Sequence, residues 1–317
     1  MIVTCYNKIE FVDPVFDYLK RLAQLDAEII MIDDGSTDGS TEKLLEKKSL
    51  AEFPFLLERI ENRGLAGARD YGIEQSSKDV VFCLDIDDTP NIENLANFFV
   101  DFLRSGTLIG QANFTFSETG ELGAVTVPSD HPITFNTRDH RDGVFDSRSW
   151  WRFLYRRDFL MRPENRFNEV FRKMDGKSFV LDDIFWMLHL SAVDHEIFQS
   201  SSTTSIYNYY LPEHNGAQRW ESYLRQITLL PEATLLFVQS LDGHLCKHDD
   251  NWLYRTLFKV LWDHSTLLGY KLFLRNSLKF FSAGHSVSRK LSFSYRLLNL
   301  AYLSAAPIRI LKYQNFR

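Results

Sequence analysis

Three carboxylates crowd into four residues at Asp85-Ile86-Asp87-Asp88. Carboxylates this close repel one another unless a cation or strong donors offset their charge. Coming at the end of an apolar stretch, residues 80–84, the cluster suits Mg2+ or Mn2+. These hard cations take oxygen ligands and often share substrate phosphates. The spacing lacks the glycine and distal glutamate of a calcium loop. The plainer alternative is a solvated, helix-capping cluster ahead of Asn91.

A second acidic run, Asp33-Asp34-Gly35-Ser36-Thr37-Asp38-Gly39-Ser40, suits a tight turn that caps a helix. It suits equally a carboxylate that accepts hydrogen bonds from a nucleotide base or ribose. The stretch Arg63-Gly64-Leu65-Ala66-Gly67-Ala68-Arg69 opens a helix with small residues and two cations. Phosphate can approach such a helix start, with Arg69 as a partner, although small residues also let a helix pack closely on a sheet. The chain has no Gly-x-x-x-x-Gly-Lys-Ser/Thr loop and no Gly-x-Gly-x-x-Gly. Nucleotide phosphates would need another counter-charge, and a metal on the aspartates would supply it.

The elements that must position these residues follow from periodicity. Residues 1–5, 28–32, 55–59 and 80–84 read as short β-rich runs. Helical patterns fill 14–24 (with Asp13 as N-cap), 41–48, 66–75 and 92–103. This alternation predicts βαβ units and an α/β fold with a mostly parallel sheet, whose ligands sit at the carboxyl ends of the strands. Tyr6-Asn7, Asp33–Ser36, Glu61–Gly64 and Asp85–Asp88 each directly follow a strand, so four polar clusters share one sheet edge. Residues 104–150 read as strands with long loops, 150–155 as an aromatic strand, 180–193 as a helix, 203–210 as a strand and 212–219 as a polar loop. From about 221 the pattern is helical.

Taken together, Val3-Thr4-Cys5-Tyr6-Asn7, Ile32-Asp33-Asp34-Gly35-Ser36-Thr37-Asp38, Asn62 to Arg69 and Leu84-Asp85-Ile86-Asp87-Asp88 resemble, in order and spacing, the inverting family 2 glycosyltransferases. The resemblance covers roughly residues 1–100 and a patch at 151–215. It implies a GT-A fold, a Rossmann-like mostly parallel sheet, here with a C-terminal helical extension. The implied domains are a catalytic 1–220 (nucleotide half 1–103, acceptor half 104–220) and a module at 221–317. It also implies that Thr4 and Tyr6 line the base pocket, Asp34 contacts the base and Arg69 lies near the diphosphate. Asp85 is placed by the ribose, and Asp87 or Asp88 on Mn2+ or Mg2+.

Phe153-Leu154-Tyr155-Arg156-Arg157-Asp158 followed by Leu181-Asp182-Asp183-Ile184-Phe185-Trp186 resembles the family's acceptor half. There an acidic pair, commonly Glu-Asp, opens a helix and its second member is the general base, which selects Asp183. Acids also favour any helix's first turn, the reading preferred for Asp182. After Tyr207-Asn208-Tyr209-Tyr210, where many relatives carry an arginine, this chain has Leu211-Pro212, and Arg219 is the substitute. His214 is the candidate third metal ligand, as in some members, set against an ordinary loop histidine.

The implied reaction moves a sugar, UDP-linked by default, from a nucleoside diphosphate to an acceptor hydroxyl in surface polysaccharide or glycoconjugate synthesis. A sugar nucleotidyltransferase would place a Gly-rich, Arg-containing loop after the first strand, where Tyr6-Asn7-Lys8-Ile9-Glu10 stands. A non-catalytic nucleotide-sugar-binding or membrane-scaffold protein of the same fold is the alternative from another class.

The 317 residues have a net charge of -6, which conceals an asymmetry. Residues 251–317 hold eleven Lys and Arg against one acid, Asp263, leaving 25 basic and 41 acidic residues before them. With Trp252, Tyr254, Phe258, Trp262 and Phe273 among those cations, 251–317 suits an anionic membrane surface or a lipid-linked saccharide acceptor. The acidic half argues against nucleic acid. Three scattered cysteines and no secretory signal or spanning stretch predict a cytoplasmic protein, peripheral at most on the inner membrane face.

Overall fold

The computed structural model describes residues 1–116, 126–127, 129–146, 152–166, 182–207 and residue 256. The chain divides into two compact units, Met1–Leu211 and Pro212–Arg317; the elements below belong to the first.

The first hundred residues alternate as the periodicity implies. Strands β1 (Ile2–Cys5), β2 (Ile30–Asp33), β3 (Leu56–Arg59) and β4 (Val80–Asp85) are separated by helices α1 (Val12–Ala23), α2 (Ser40–Leu50) and α3 (Gly64–Gln75). A two-residue strand β5 (Thr89–Pro90) and helix α4 (Ile92–Ser105) follow. Then come β6 (Ile109–Phe116), β7 (Ile133–Asn136), α5 (Arg141–Asp146), β8 (Phe153–Arg156), α6 (Arg157–Leu160), α7 (Asp182–Ala192) and β9 (Glu196–Tyr207).

All nine strands join one sheet in the order β3-β2-β1-β4-β8-β6-β9-β5, with β7 beside β9. β1 to β4 pair in parallel, β8 runs antiparallel to both β4 and β6, and β9 runs parallel to β6. The α/β, mostly parallel architecture expected from sequence is therefore present. Side chains alternate across the sheet, as period two requires. Val3, Cys5, Met31, Phe82 and Leu84 join Val15, Leu19 and Leu22 of α1 and Phe98 and Phe102 of α4 in one core. Burying each of those large apolar side chains contributes about 1.5–3 kcal/mol. On the other face, α3 lies so close that a Cβ on Gly72 would stand 2.5 Å from Ile2 Cγ2. The small residues of this helix thus have a packing role.

Three details depart from expectation. Asp13 does not cap α1: a 3-10 turn, Ile9–Phe11, runs directly into the helix, and Phe11 occupies the cap position without a side-chain bond. The Asp13 carboxylate instead pairs with Lys43 and Lys47 of α2, each at 2.6 Å. A short helix, α5, stands where strands and loops were expected. Strand β9 begins at Glu196, seven residues before the expected 203. Its polar run Gln199-Ser200-Ser201-Ser202-Thr203-Thr204 shows no apolar alternation, yet Gln199 pairs with both β6 and β7 and Thr203 with β6, across an irregularity at Ser200 to Ser202. Tertiary pairing overrides the local pattern here.

Candidate functional site

Strands β1 to β4, β6 and β9 run in one direction, so Cys5, Asp33, Arg59, Asp85, Phe116 and Tyr207 end at the same sheet edge. The candidate site is built there.

At the end of β2, Asp33 is fully buried and organises the turn: its carboxylate accepts the Ser36 N–H at 3.0 Å and the Thr41 hydroxyl. Its neighbour Asp34 points the other way. Asp34 accepts the backbone N–H of Arg63 at 2.7 Å, and the Asn62 amide donates to the Asp34 carbonyl at 3.1 Å. Burial pushes the Asp34 carboxyl up to about 6, against the opposing pull of the Arg63 and Gly64 N–H groups. Gly35 follows with φ +76°, and a Cβ there would stand 3.1 Å from the Asn62 nitrogen. A side chain would meet both left-handed strain and that close approach. So the acidic run is a tight turn, and the turn leaves one buried, poorly solvated carboxylate that accepts from the backbone N–H groups of Arg63 and Gly64.

At the end of β1, Thr4 is buried and its hydroxyl donates to Asp85 Oδ1 at 2.9 Å. Tyr6 lies at the surface, 48% exposed. Asn7 adopts φ +51°, which asparagine tolerates better than most residues. Its N–H donates to Ser36 Oγ at 3.0 Å and its Oδ1 accepts the Thr37 N–H at 2.8 Å, tying the loops after β1 and β2 together. Lys8 comes next, and its ammonium forms an ion pair with Asp87.

The end of β4 gathers the three carboxylates around different partners. Asp85 accepts from Thr4 and from Arg69 Nη2, which lies 3.2 Å from one oxygen and 3.3 Å from the other. Arg69 is buried, so its contribution is to hold Asp85 from beneath rather than to reach outward. Asp87 faces Lys8. Asp88 is buried, its N–H donating to the Asp85 carbonyl at 2.9 Å. Burial, then the charges of Asp85 and Asp87, push the Asp88 carboxyl well above the ordinary range, opposed by Arg69 and Lys8. None of the three caps α4: Asn91 does, accepting the Asn94 N–H at 3.0 Å. The cluster is no cap, and it is only partly exposed: Asp88 is buried while Asp85 and Asp87 keep some contact with solvent.

The donor set fits a divalent cation. A buried carboxylate that resists ionisation beside two others marks a place short of positive charge, and all available ligand atoms are hard oxygens. Among the described residues no three ligating side chains converge. Asp87 and Asp88 would hold such an ion with oxygens from elsewhere. His214 and Arg219 lie outside the described residues. Within the described residues, β5 pairs with the end of β9 at this edge, Thr89 opposite Ile206, and the Asn91 N–H donates to the Thr204 carbonyl at 2.7 Å.

Asp182 and Asp183 open α7; their side chains lie outside the described residues. What fixes the helix is visible. Trp186 is fully buried between Tyr155 and Phe159, its indole N–H donating to Tyr155 Oη at 2.6 Å. One turn on, His189 stacks on Trp186 and shares a 2.7 Å hydrogen bond with Asn165. These contacts join α7 to β8, the neighbour of β4. No helix among the described residues is long and apolar enough to cross a membrane. The basic 251–317 stretch and the helical reading of 221–317 lie outside the described residues, residue 256 apart.

Lys8 escaped sequence reading as a participant, and Asn7, read as part of the polar cluster after β1, was not read as the tie between two loops. Lys8 carried one usable signal, a cation three residues beyond β1 at the shared edge. Asn7 carried another, the tolerance of asparagine for the left-handed region.

Residues 1–169 match the family model described as Glycosyl transferase family 2. A poly-beta-1,6-N-acetyl-D-glucosamine synthase from Staphylococcus aureus strain COL is 38% identical over 86 residues, 27% of this chain and 21% of that one. The enzyme of the same name from Staphylococcus epidermidis is 36% identical over 109 residues, 34% of this chain and 26% of that one. The match thus spans about a quarter of these relatives' length. Among solved structures, S. aureus TarS residues 1–349 superpose with TM-score 0.57 at 15% identity, covering 98% of this chain and 82% of that one. The same TarS segment in complex with UDP-GlcNAc gives 0.52 at 14% identity, covering 93% and 90%. At such identities the likeness is one of fold.

Proposed function

Because the chain belongs to glycosyl transferase family 2, we propose that it transfers a sugar from a nucleoside diphosphate sugar to a hydroxyl of a saccharide or lipid-linked saccharide, with inversion, in surface polysaccharide or glycoconjugate synthesis. The observation that carries this reading is the shared edge. There a poorly solvated carboxylate, Asp34, and a carboxylate cluster, Asp85 to Asp88, face the ends of parallel strands.

On this reading Asp34, ionised, accepts an N–H of the base, with Thr4 and Tyr6 lining the pocket. Asp85, fixed by Thr4 and Arg69, accepts a ribose hydroxyl. A divalent cation, Mn2+ or Mg2+, would be held by Asp87 and Asp88 with donor phosphate oxygens, His214 completing the set, and would offset charge on the departing diphosphate. Arg219 contributes a further cation from the segment after β9. Asp183 takes the proton of the acceptor hydroxyl as its oxygen bonds to the anomeric carbon and the bond to the phosphate oxygen breaks. A single displacement of this kind inverts the anomeric configuration. Residues 251–317 would hold the enzyme to an anionic inner membrane face where a lipid-linked acceptor resides.

UDP-GlcNAc is the first donor to test, since it is the compound bound in a TarS structure of the same fold and the matched synthases are named for a polymer of that sugar. Purified protein is incubated with UDP-GlcNAc, UDP-glucose, UDP-galactose or GDP-mannose, with and without Mn2+, and nucleotide release is followed. Release from one donor that requires Mn2+ is expected. Tight nucleotide binding without turnover of any donor, with or without glucosamine oligomers as acceptors, would leave the non-catalytic binding role instead.

A further inference from the structure

Lys8 stands at the carboxylate cluster on a backbone that is pinned on both sides. Its N–H donates to Ser40 Oγ at 3.1 Å, and the preceding Asn7 is locked to Ser36 and Thr37. Its side chain is held differently, by the ion pair with Asp87 and by the face of Phe11, whose ring centre lies 5.2 Å from Nζ. Both partners of the ion pair are 21% exposed. At that depth the pair is screened less than a surface one, yet still open to a small ion. Asp85 is answered within the fold by Arg69, itself buried, and by Thr4. Asp87 is answered by Lys8, a long side chain at the partly exposed face of the cluster.

Resting on the donor reading above, we propose that Lys8 is a built-in competitor of the divalent cation. Its ammonium occupies Asp87 in the donor-free protein and gives it up when the metal arrives with the diphosphate. An ammonium in contact with Asp87 Oδ2 repels a divalent ion approaching the same carboxylate, because two positive charges are then brought to short range. Metal binding at Asp87 therefore displaces the Lys8 ammonium, which already lies over the Phe11 face and can keep that contact as it withdraws. A resident cation keeps the acidic cluster compact between turnovers. It also weakens binding of the metal alone and leaves binding of the metal with donor to dominate.

The test measures Mn2+ binding directly, by electron paramagnetic resonance of free Mn2+, on the full chain without nucleotide. Lys8→Met should bind Mn2+ about fivefold more tightly than wild type, the factor equivalent to about 1 kcal/mol for a partly exposed ion pair. Lys8→Arg, which keeps the charge, should stay within about twofold. Lys43→Met removes an equal charge from the distant pair with Asp13 and should also leave the affinity unchanged. Folding of each variant is checked by its melting temperature. Unchanged or weaker Mn2+ binding by Lys8→Met would overturn the inference, while Mn2+-dependent UDP binding by wild type in calorimetry would keep the functional reading standing. If neither wild type nor Lys8→Met binds Mn2+ with or without UDP, the metal reading and the inference fall together.

Discussion

The backbone N–H of Arg63, one residue before α3, points into the carboxylate of Asp34, one residue after β2, across 2.7 Å. That bond and the Gly64 N–H stabilise the ionised carboxylate, and burial still raises it to about 6, above its ordinary 3.8. Two opposite pH trends follow. If Asp34 accepts a base N–H, UDP affinity should fall as pH drops through 6 and the acceptor is protonated. Folding runs the other way. A carboxyl raised on folding binds its proton more tightly in the native state, so its stabilising contribution is full below 3.8 and is lost as pH rises through about 6. Calorimetry with UDP and melting curves across pH 4–8 should show both slopes in wild type and neither in Asp34→Asn.

Asp87→Asn should abolish Mn2+-dependent nucleotide release while shifting the melting temperature by only a few degrees, since it removes a partly exposed ion pair. Full turnover by this variant at ordinary Mn2+ would remove Asp87 from the metal set.

Asp183→Asn should lower kcat by about 10²–10⁴-fold, the range for removing a general base, with donor affinity almost unchanged because the base acts on the acceptor in the transition state. Asp182→Asn should cost much less: adjacent helical residues point about 100° apart, so one of the pair faces the acceptor. Steady-state kinetics beside UDP binding decides. A reversed order, with donor still bound by both, would move the base to Asp182.

Tyr155→Phe should destabilise the fold by about 1–2 kcal/mol, read from denaturant melts, because the buried indole N–H of Trp186 loses the acceptor it holds at 2.6 Å. Trp186 lies three residues beyond Asp183 on α7, so the same variant should lower kcat more than it raises KM for the donor.

Vesicle flotation tests the basic, aromatic-rich segment 251–317. Binding should depend on anionic lipid and weaken as salt rises. Equal flotation on neutral vesicles, or no change when the segment is removed, would leave it an ordinary helical part of the protein.

Much of the donor side was legible because strand, turn and helix each left a local mark. The apolar runs ending at Asp33 and Asp85 gave both the sheet and its edge, and the Gly35 turn needed a residue type that the chain displays. The divided labour of the aspartates was not legible. Nothing local tells that Asp33 folds the turn while Asp34 is held by the N–H of Arg63, 29 positions away, or that Arg69 lies under Asp85. Lys8 escaped for the same reason, its partner being 79 positions on. On the acceptor side, β9 hid behind polar residues whose hydrogen-bond partners, β6 and β7, are remote in sequence.

Six strands deliver the chain to one edge of the sheet, and antiparallel β8 sets out from it. Connections there that lead into a helix can therefore change length without shifting a ladder, whereas the short join Ile86 to Asp88 feeds β5 and its pairing with β9. The opposite edge holds tight joins, such as Ser76 to Asp79 before β4 and Gly106 to Leu108 before β6, where an added residue would shift the strand it feeds. A lineage built on this sheet can change what it joins by redrawing the stretches after Arg59, Phe116 and Tyr207 while its fold persists. Length variation among descendants should gather on that side, where innovation is cheap, and thin out on the other.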